Sequence, residues 1–196
     1  MKVLVVLGHQ RPGSFCHAIA ETAVNELKAL GHEVVFHDLY QENFDPILTN
    51  DEIASPANPE PKVPDEIQRH CRELVESDGY VIVHPNWWGQ MPAILKGWID
   101  RVLRQGVAYA FTEQGVDGKL KDKRALVLTT SNTPRDIELK VFGDPLENLW
   151  KTCIFGFCGV ENFKRRNFES IVLSTPEQRQ GWLEDTKTLV REMFGD

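Results

Sequence analysis

Apolar positions recur along this chain in two rhythms. Residues 2–7 (Lys-Val-Leu-Val-Val-Leu) run without alternation, as a strand buried on both faces does. After them Ala18, Ile19, Ala23, Leu27 and Leu30 fall at helical spacing, with Ser14 placed to cap the start and Gly31 to stop the end. Residues 33–39 predict a second strand, so the first forty residues read β-loop-α-β, a parallel, right-handed unit. The pattern continues with a helix over 65–77, a strand over 79–84 and a helix opened by Pro92 that ends before Gly106. A strand follows over 124–130, a helix over about 144–157, and a strand over 161–168. Thr175 or Pro176 then opens a C-terminal helix through Trp182, Leu189, Val190 and Phe194. Between 41 and 64 the density of Pro, Asn and Asp excludes a regular element. A long excursion with one helical turn near 49–53 remains.

Strands alternating with helices in this way predict a single domain over 1–196. Its expected architecture is α/β: a three-layer, doubly wound, five-stranded parallel sheet of order 2-1-3-4-5. Neither Gly-x-Gly-x-x-Gly after the first strand nor a Walker lysine loop is present, which argues against dinucleotide-fold and nucleotide-hydrolase readings.

Composition removes other classes. Lys and Arg number 22 against 29 Asp and Glu, giving a net charge of −7, and 41% of residues are hydrophobic. This is globular composition without the basic stripe of a nucleic-acid binder. The patch Lys119, Lys121, Lys123 and Arg124 reads as a solvated loop diluted by Asp117 and Asp122. No apolar run is long enough to insert in a membrane, and the N-terminal one is too short for a signal peptide. The expectation is a cytoplasmic protein with reduced cysteines. Those at 16, 71, 153 and 158 form no Cys-x-x-Cys pair and no histidine is spaced for zinc; Cys153 and Cys158 read as buried packing.

In an open parallel sheet, ligands bind beyond the carboxyl ends of the strands. Three loops there carry unusual content. His9–Ser14 combines backbone N–H groups with a helix N-terminus, a setting for a phosphate, though many strand-to-helix loops look alike. The loop 85–92 (Pro-Asn-Trp-Trp-Gly-Gln-Met-Pro) holds adjacent tryptophans that are either packed structurally or offered as stacking faces to a planar ligand. The loop 129–134 (Thr-Thr-Ser-Asn-Thr-Pro) suits either turn capping or hydrogen bonding to a polar ring edge. Phosphate end, stacked ring and polar edge together outline a flavin.

At this point the sequence resembles a known family, the flavodoxin-like NAD(P)H:quinone oxidoreductases. The likeness rests on Trp88-x-x-x-Pro92 continuing as Ala-Ile-Leu-Lys-Gly-Trp-Ile-Asp-Arg-Val to residue 102, on Gly106–Phe111, and on Asp38-Leu39-Tyr40 with residues 43–47. It runs from residue 1 to about 132 and is fainter beyond. The resemblance implies a flavin, FMN or alternatively FAD, reduced by NAD(P)H and reoxidised by a quinone-like acceptor in ping-pong, two-electron hydride transfer. It implies that His9, Ser14, Phe15 and Cys16 lie at the phosphate and ribityl chain. Pro85, Asn86, Trp87, Trp88 and Gly89 would run along the ring, and Thr129, Thr130, Ser131 and Asn132 would meet its pyrimidine side. It also implies a homodimer in which Tyr109 and Phe111 of one subunit roof the other's substrate pocket.

Two features depart from the family pattern. Ser131 and Asn132 stand where the family usually has two glycines. The tyrosine and histidine that handle reduced-flavin charge in the mammalian members are missing, with Ile137 and Phe142 at the aligned places. Backbone N–H groups or Arg135 are the substitutes the sequence offers. The departures leave open an alternative, a flavin-binding regulatory or partner-binding module with little reductase activity. A one-electron carrier is a further rival.

Overall fold

The computed structural model describes residues 1–53 and 60–195. Its strands are β1 (Lys2–Leu7), β2 (Glu33–Asp38), β3 (Gly79–Pro85), β4 (Tyr109–Thr112), β5 (Gly115–Gly118), β6 (Arg124–Thr130) and β7 (Asn162–Phe168). The helices are α1 (Phe15–Ala29), α2 (Asp65–Glu76), α3 (Ala93–Val102), α4 (Arg135–Ile137), α5 (Pro145–Asn148) and α6 (Pro176–Phe194). Five strands form one all-parallel sheet of order β2-β1-β3-β6-β7, which is the expected 2-1-3-4-5 arrangement counted over the sheet strands alone.

Because side chains alternate across a strand, β1 feeds two cores. Leu4 and Val6 pack on the face covered by α2 and α3, whereas Val3, Val5 and Leu7 pack on the face covered by α1 and α6. β3 is buried along its whole length, as a central strand with helices on both sides must be. Ser14 caps α1, its Oγ accepting the His17 N–H at 3.4 Å, and the chain leaves the helix through Gly31 at φ 83°.

The excursion after β2 is strapped onto α3. Pro46 lies so close to Gly97 that a Cβ there would meet the proline at 2.3 Å, which explains a glycine inside a helix. Glu52, on the turn Asn50–Glu52, is fully buried and receives two N–H bonds from Arg101, at 3.0 and 3.1 Å. Burial pushes the Glu52 carboxyl up, but Arg101 and Thr49 outweigh it and hold the pKa below the ordinary value. Pro56 and Pro59 lie outside the described residues.

Three elements differ from the sequence reading. Residues 109–118 form an antiparallel hairpin, β4–β5, whose four-residue strands are too short for alternation to register. Residues 135–142, to which the sequence pattern assigns no element, form α4 running into a π-helical turn Glu138–Phe142. The helix expected over 144–157 starts as α5 and continues as a π-helix, Leu149–Gly156. Cys158 is buried as expected but Cys153 is exposed, because the π-helix buries Trp150, Ile154 and Phe155 instead. The basic patch is bonded rather than free. Lys119 and Lys121 pair with Asp117, Lys123 donates to the Val75 and Ser77 carbonyls, and Arg124 donates to the Met193 carbonyl. No helix among the described residues is long and apolar enough to cross a membrane.

Candidate active site

The loops after β1, β3 and β6 leave the same edge of the sheet and are tied together. Asn86 N–H donates to the Thr130 carbonyl at 2.7 Å, joining the second loop to the third. Trp87 and Gln90 exchange N–H···O bonds of 2.9 and 3.0 Å around Trp88 (φ 56°) and Gly89 (φ 71°). Positive φ at both central residues makes this a tight turn of the hairpin kind. It thrusts the Trp88 ring wholly into solvent, at 102% relative exposure.

A cleft of about 670 Å³ opens beside this turn, floored by Asn86 and Glu138 and walled by Trp88, Val141, Phe142 and Pro145. Glu138 is buried, and its Oε1 accepts the Asn86 amide N–H at 3.1 Å. Asn86 Oδ1 is buried without a hydrogen-bond partner.

A second hollow of about 250 Å³ lies at the N-terminus of α1, lined by Arg11, Ser14, Phe15, Cys16, Thr130 and Arg179 among others. The open N–H groups of a 15-residue helix and two guanidinium groups suit it to an anion. Arg179 is held in place by the Ser174 hydroxyl at 2.8 Å and the Ile171 carbonyl at 2.9 Å. Burial, with His17 and Arg11 alongside, pushes the His9 imidazole below its ordinary pKa, so His9 enters this region neutral. Cys16 Sγ meets Thr130 Oγ1 at 3.2 Å, and burial lifts its thiol to about 12. It is therefore a neutral packing group rather than a nucleophile.

Of the residues singled out in the sequence, Asn86, Trp88 and Gly89 line the cleft, while His9, Ser14, Phe15, Cys16 and Thr130 line the hollow. Trp87 sits between them, its ring 6.3 Å from that of His9. Pro85 ends β3, its carbonyl bonded to His84 Nδ1 at 2.8 Å. The Phe15 ring turns away to pack on Phe168 and Trp182. The polar side chains after β6 mostly bond to the protein itself. Thr129 Oγ1 donates to Asn167 Oδ1 at 2.9 Å, Asn167 Nδ2 donates to Ser131 Oγ at 3.0 Å, and Asn132 Oδ1 accepts the Val172 N–H at 3.1 Å. Arg135 pairs with Glu169 and does not line the cleft. Tyr109 and Phe111 sit on the β4–β5 hairpin, and neither lines the cleft of its own chain.

Glu138, Val141, Pro145 and Arg179 escaped the sequence reading. Only the missing Tyr and His near Ile137 and Phe142 had marked that stretch as altered.

The fold also gathers a histidine cluster that no sequence spacing signalled. His37, His70 and Glu73 bring ligand-type atoms within 4.8 Å of one another. His37 Nδ1 and Nε2 bond to Glu42 and Glu73, each at 2.8 Å, and Trp98 Nε1–H donates to His70 Nδ1 at 3.3 Å. The Trp98 bond makes Nδ1 the acceptor and leaves the proton of neutral His70 on Nε2. A metal at Nε2 would turn Nδ1 into a donor facing another donor, which disfavours a metal there; His70 Nε2 is itself buried without a hydrogen-bond partner, 3.9 Å from Glu42 Oε2.

Comparisons with known proteins bear on the fold and the family. A family model described as flavodoxin-like fold matches residues 1–190. An uncharacterized NAD(P)H oxidoreductase of Haemophilus influenzae is 35% identical over 188 residues, covering 94% of this chain and 91% of its own length. NAD(P)H dehydrogenase [quinone] 1 of Rattus norvegicus is 31% identical over 214 residues, covering 97% of this chain and 78% of its own. Among solved structures, an NAD(P)H:quinone oxidoreductase from Methanothermobacter marburgensis superposes with a TM-score of 0.82 at 26% identity, covering 97% of this chain and 98% of its own. A parallel five-stranded sheet, with a cleft and an arginine-lined hollow at its carboxyl edge, thus has sequence relatives along nearly all of its length, and the chain belongs to the flavodoxin-like NAD(P)H:quinone oxidoreductase family.

Proposed function

We propose that this protein uses FMN to pass two electrons from NAD(P)H to a quinone-like acceptor, the two substrates occupying one cleft in turn. The observation that carries the reading is the pairing of a ring-sized cleft beside an exposed indole with an anion hollow at a helix N-terminus. The residues present fit a flavin: an exposed indole face borders the cleft, and the hollow joins a helix N-terminus to two guanidinium groups. Trp88 and the backbone of 85–89 would flank the ring, while Ser14, the α1 N-terminus, Arg11 and Arg179 would hold the phosphate. The bound flavin supplies hydride acceptance and donation, and the protein contributes orientation and exclusion of water. Val141, Phe142 and Pro145 wall the cleft with apolar surface that a seated ring would cover. The compact hollow favours FMN over a dinucleotide flavin. Tyr109 and Phe111 of the partner subunit would roof the cleft in a homodimer, which accounts for Phe111 being 62% exposed in the single chain.

The test is an absorbance spectrum of the protein with FMN, and separately with FAD, repeated anaerobically after NADH and then NADPH. Bands that bleach fully and recover on adding a quinone support the reductase and show the preferred nucleotide. Bands that persist favour a flavin-binding regulator. Failure to bind either flavin refutes the placement of the three loops.

A further inference from the structure

Glu138 is the one ionisable side chain lining the cleft among the described residues, and no cation of the protein faces it there. The cations nearest in sequence and structure do not line the cleft: Arg165 meets Asp144 and Glu147 through one guanidinium nitrogen, Arg135 pairs with Glu169, and Lys140 on the same turn is exposed outside the lining. The residue is 4% exposed, set into the floor by a π-helical turn that ends at Gly143 (φ 71°). π turns of this kind re-aim single side chains and cluster at functional sites. Its bond from Asn86 Nδ2 also fixes the amide, because a flipped amide would set two oxygens against each other. The floor therefore presents the Glu138 carboxylate under apolar walls. A buried acceptor is costly to leave bare, and a buried carboxylate more so.

We propose that Glu138 selects the electron acceptor by charge: the cleft takes rings bearing a cationic or hydrogen-donating group and rejects anionic ones such as sulfonated rings. A cation entering the cleft meets a countercharge between apolar walls, whereas an anion meets a like charge with no cation among the lining residues. The inference rests on the reductase reading above but concerns which acceptors the site admits.

The experiment uses FMN-loaded protein and three naphthoquinones: unsubstituted, carrying a trimethylammonium arm, and carrying a sulfonate. At about 0.5 M salt, the protein's overall negative charge is screened while contacts within the cleft persist. The wild type is expected to favour the cationic over the anionic quinone in kcat/KM by at least about tenfold, from Coulomb's law at an effective dielectric near 20. Glu138→Gln keeps an acceptor for the Asn86 amide and should collapse that ratio, Glu138→Asp should retain most of it, and Glu66→Gln, an equal charge change on the exposed start of α2, should leave it intact. A second readout needs no turnover: dissociation constants of redox-inert naphthyl-trimethylammonium and naphthalene sulfonate, from quenching of tryptophan fluorescence. A wild type without charge preference, or a preference that survives Glu138→Gln, overturns the proposal. If no quinone is reduced yet the inert pair is still discriminated and Glu138→Gln abolishes the discrimination, charge selection stands and the reductase reading falls.

Discussion

Trp88 offers a perturbation in which stability and binding should move in opposite directions. The residue is held at φ 56°, a left-handed conformation that costs a non-glycine residue about 1 kcal/mol, and its side chain packs on nothing in the fold. Trp88→Gly removes the strain and forfeits no core contact, so it should stabilise the chain by about 1 kcal/mol, or about 2–4 °C in Tm for a domain of this size. A ring stacked on one indole face covers about 100 Å² of apolar surface, worth about 2.5 kcal/mol at about 25 cal/mol per Å². The same variant should therefore weaken FMN retention or raise the quinone KM by tens of fold. Trp88→Ala should show the same loss of binding without the gain in stability, since alanine keeps the strained φ. Thermal unfolding and fluorescence titration with FMN read the two effects separately. A wild-type dissociation constant together with a wild-type quinone KM in Trp88→Gly would refute the stacking argument. A lower Tm would refute the claim that the indole is structurally idle.

Other perturbations test the scaffold. Glu52→Gln leaves the Arg101 guanidinium, 4% exposed, without its countercharge, and should cost about 3–5 kcal/mol by urea unfolding; Glu52→Leu combined with Arg101→Met should recover most of that loss. Asn167→Ala strips the acceptor from the buried Thr129 hydroxyl and one of two partners from Ser131, and should cost about 1–3 kcal/mol while speeding hydrogen exchange at the backbone after β6. Stability should peak near pH 6.5–7. Burial, with His37 and Arg69 nearby, pushes His70 to about 3, and burial pushes His84 to about 4, so the unfolded chain takes up more protons as pH falls below about 6.5 and stability drops, by up to about 1.4 kcal/mol per pH unit for each group. His37 acts the other way. Burial opposes its charge, but Glu42 and Glu73 prevail and raise its pKa, so its contribution is complete below about 6.5 and fades as pH rises through the raised value. His70→Gln should flatten the acid limb, and an unaltered limb in urea titrations would remove His70 from the account.

The sequence by itself determined the layer architecture. Unbroken apolar runs at β1, β3 and β6 can be satisfied only by burial on both faces, and amphipathic helices between them leave a parallel sheet as the way to cover both sides. Ser14, Gly31 and Pro92 set helix boundaries through local backbone chemistry, so those boundaries too were legible. The three loops could be located because strand ends locate them, and Trp88 stood out because an indole in a polar turn is unusual. What each loop side chain does was decided by tertiary structure. Thr129 and Ser131 look alike on the page as free hydroxyls, yet Asn167, more than thirty residues away on β7, engages both. Glu138 reads as one acid in a mixed stretch; only the π turn, which no propensity foretells, carries it under Asn86 and into the cleft. The His37–His70 network and the Arg179 wall of the hollow likewise join residues from separate elements. Local patterns encode which segments must be buried, because burial is a property of each segment. Hydrogen-bond partners and the groups that face a ligand are properties of pairs, and pairs exist only once the chain has folded.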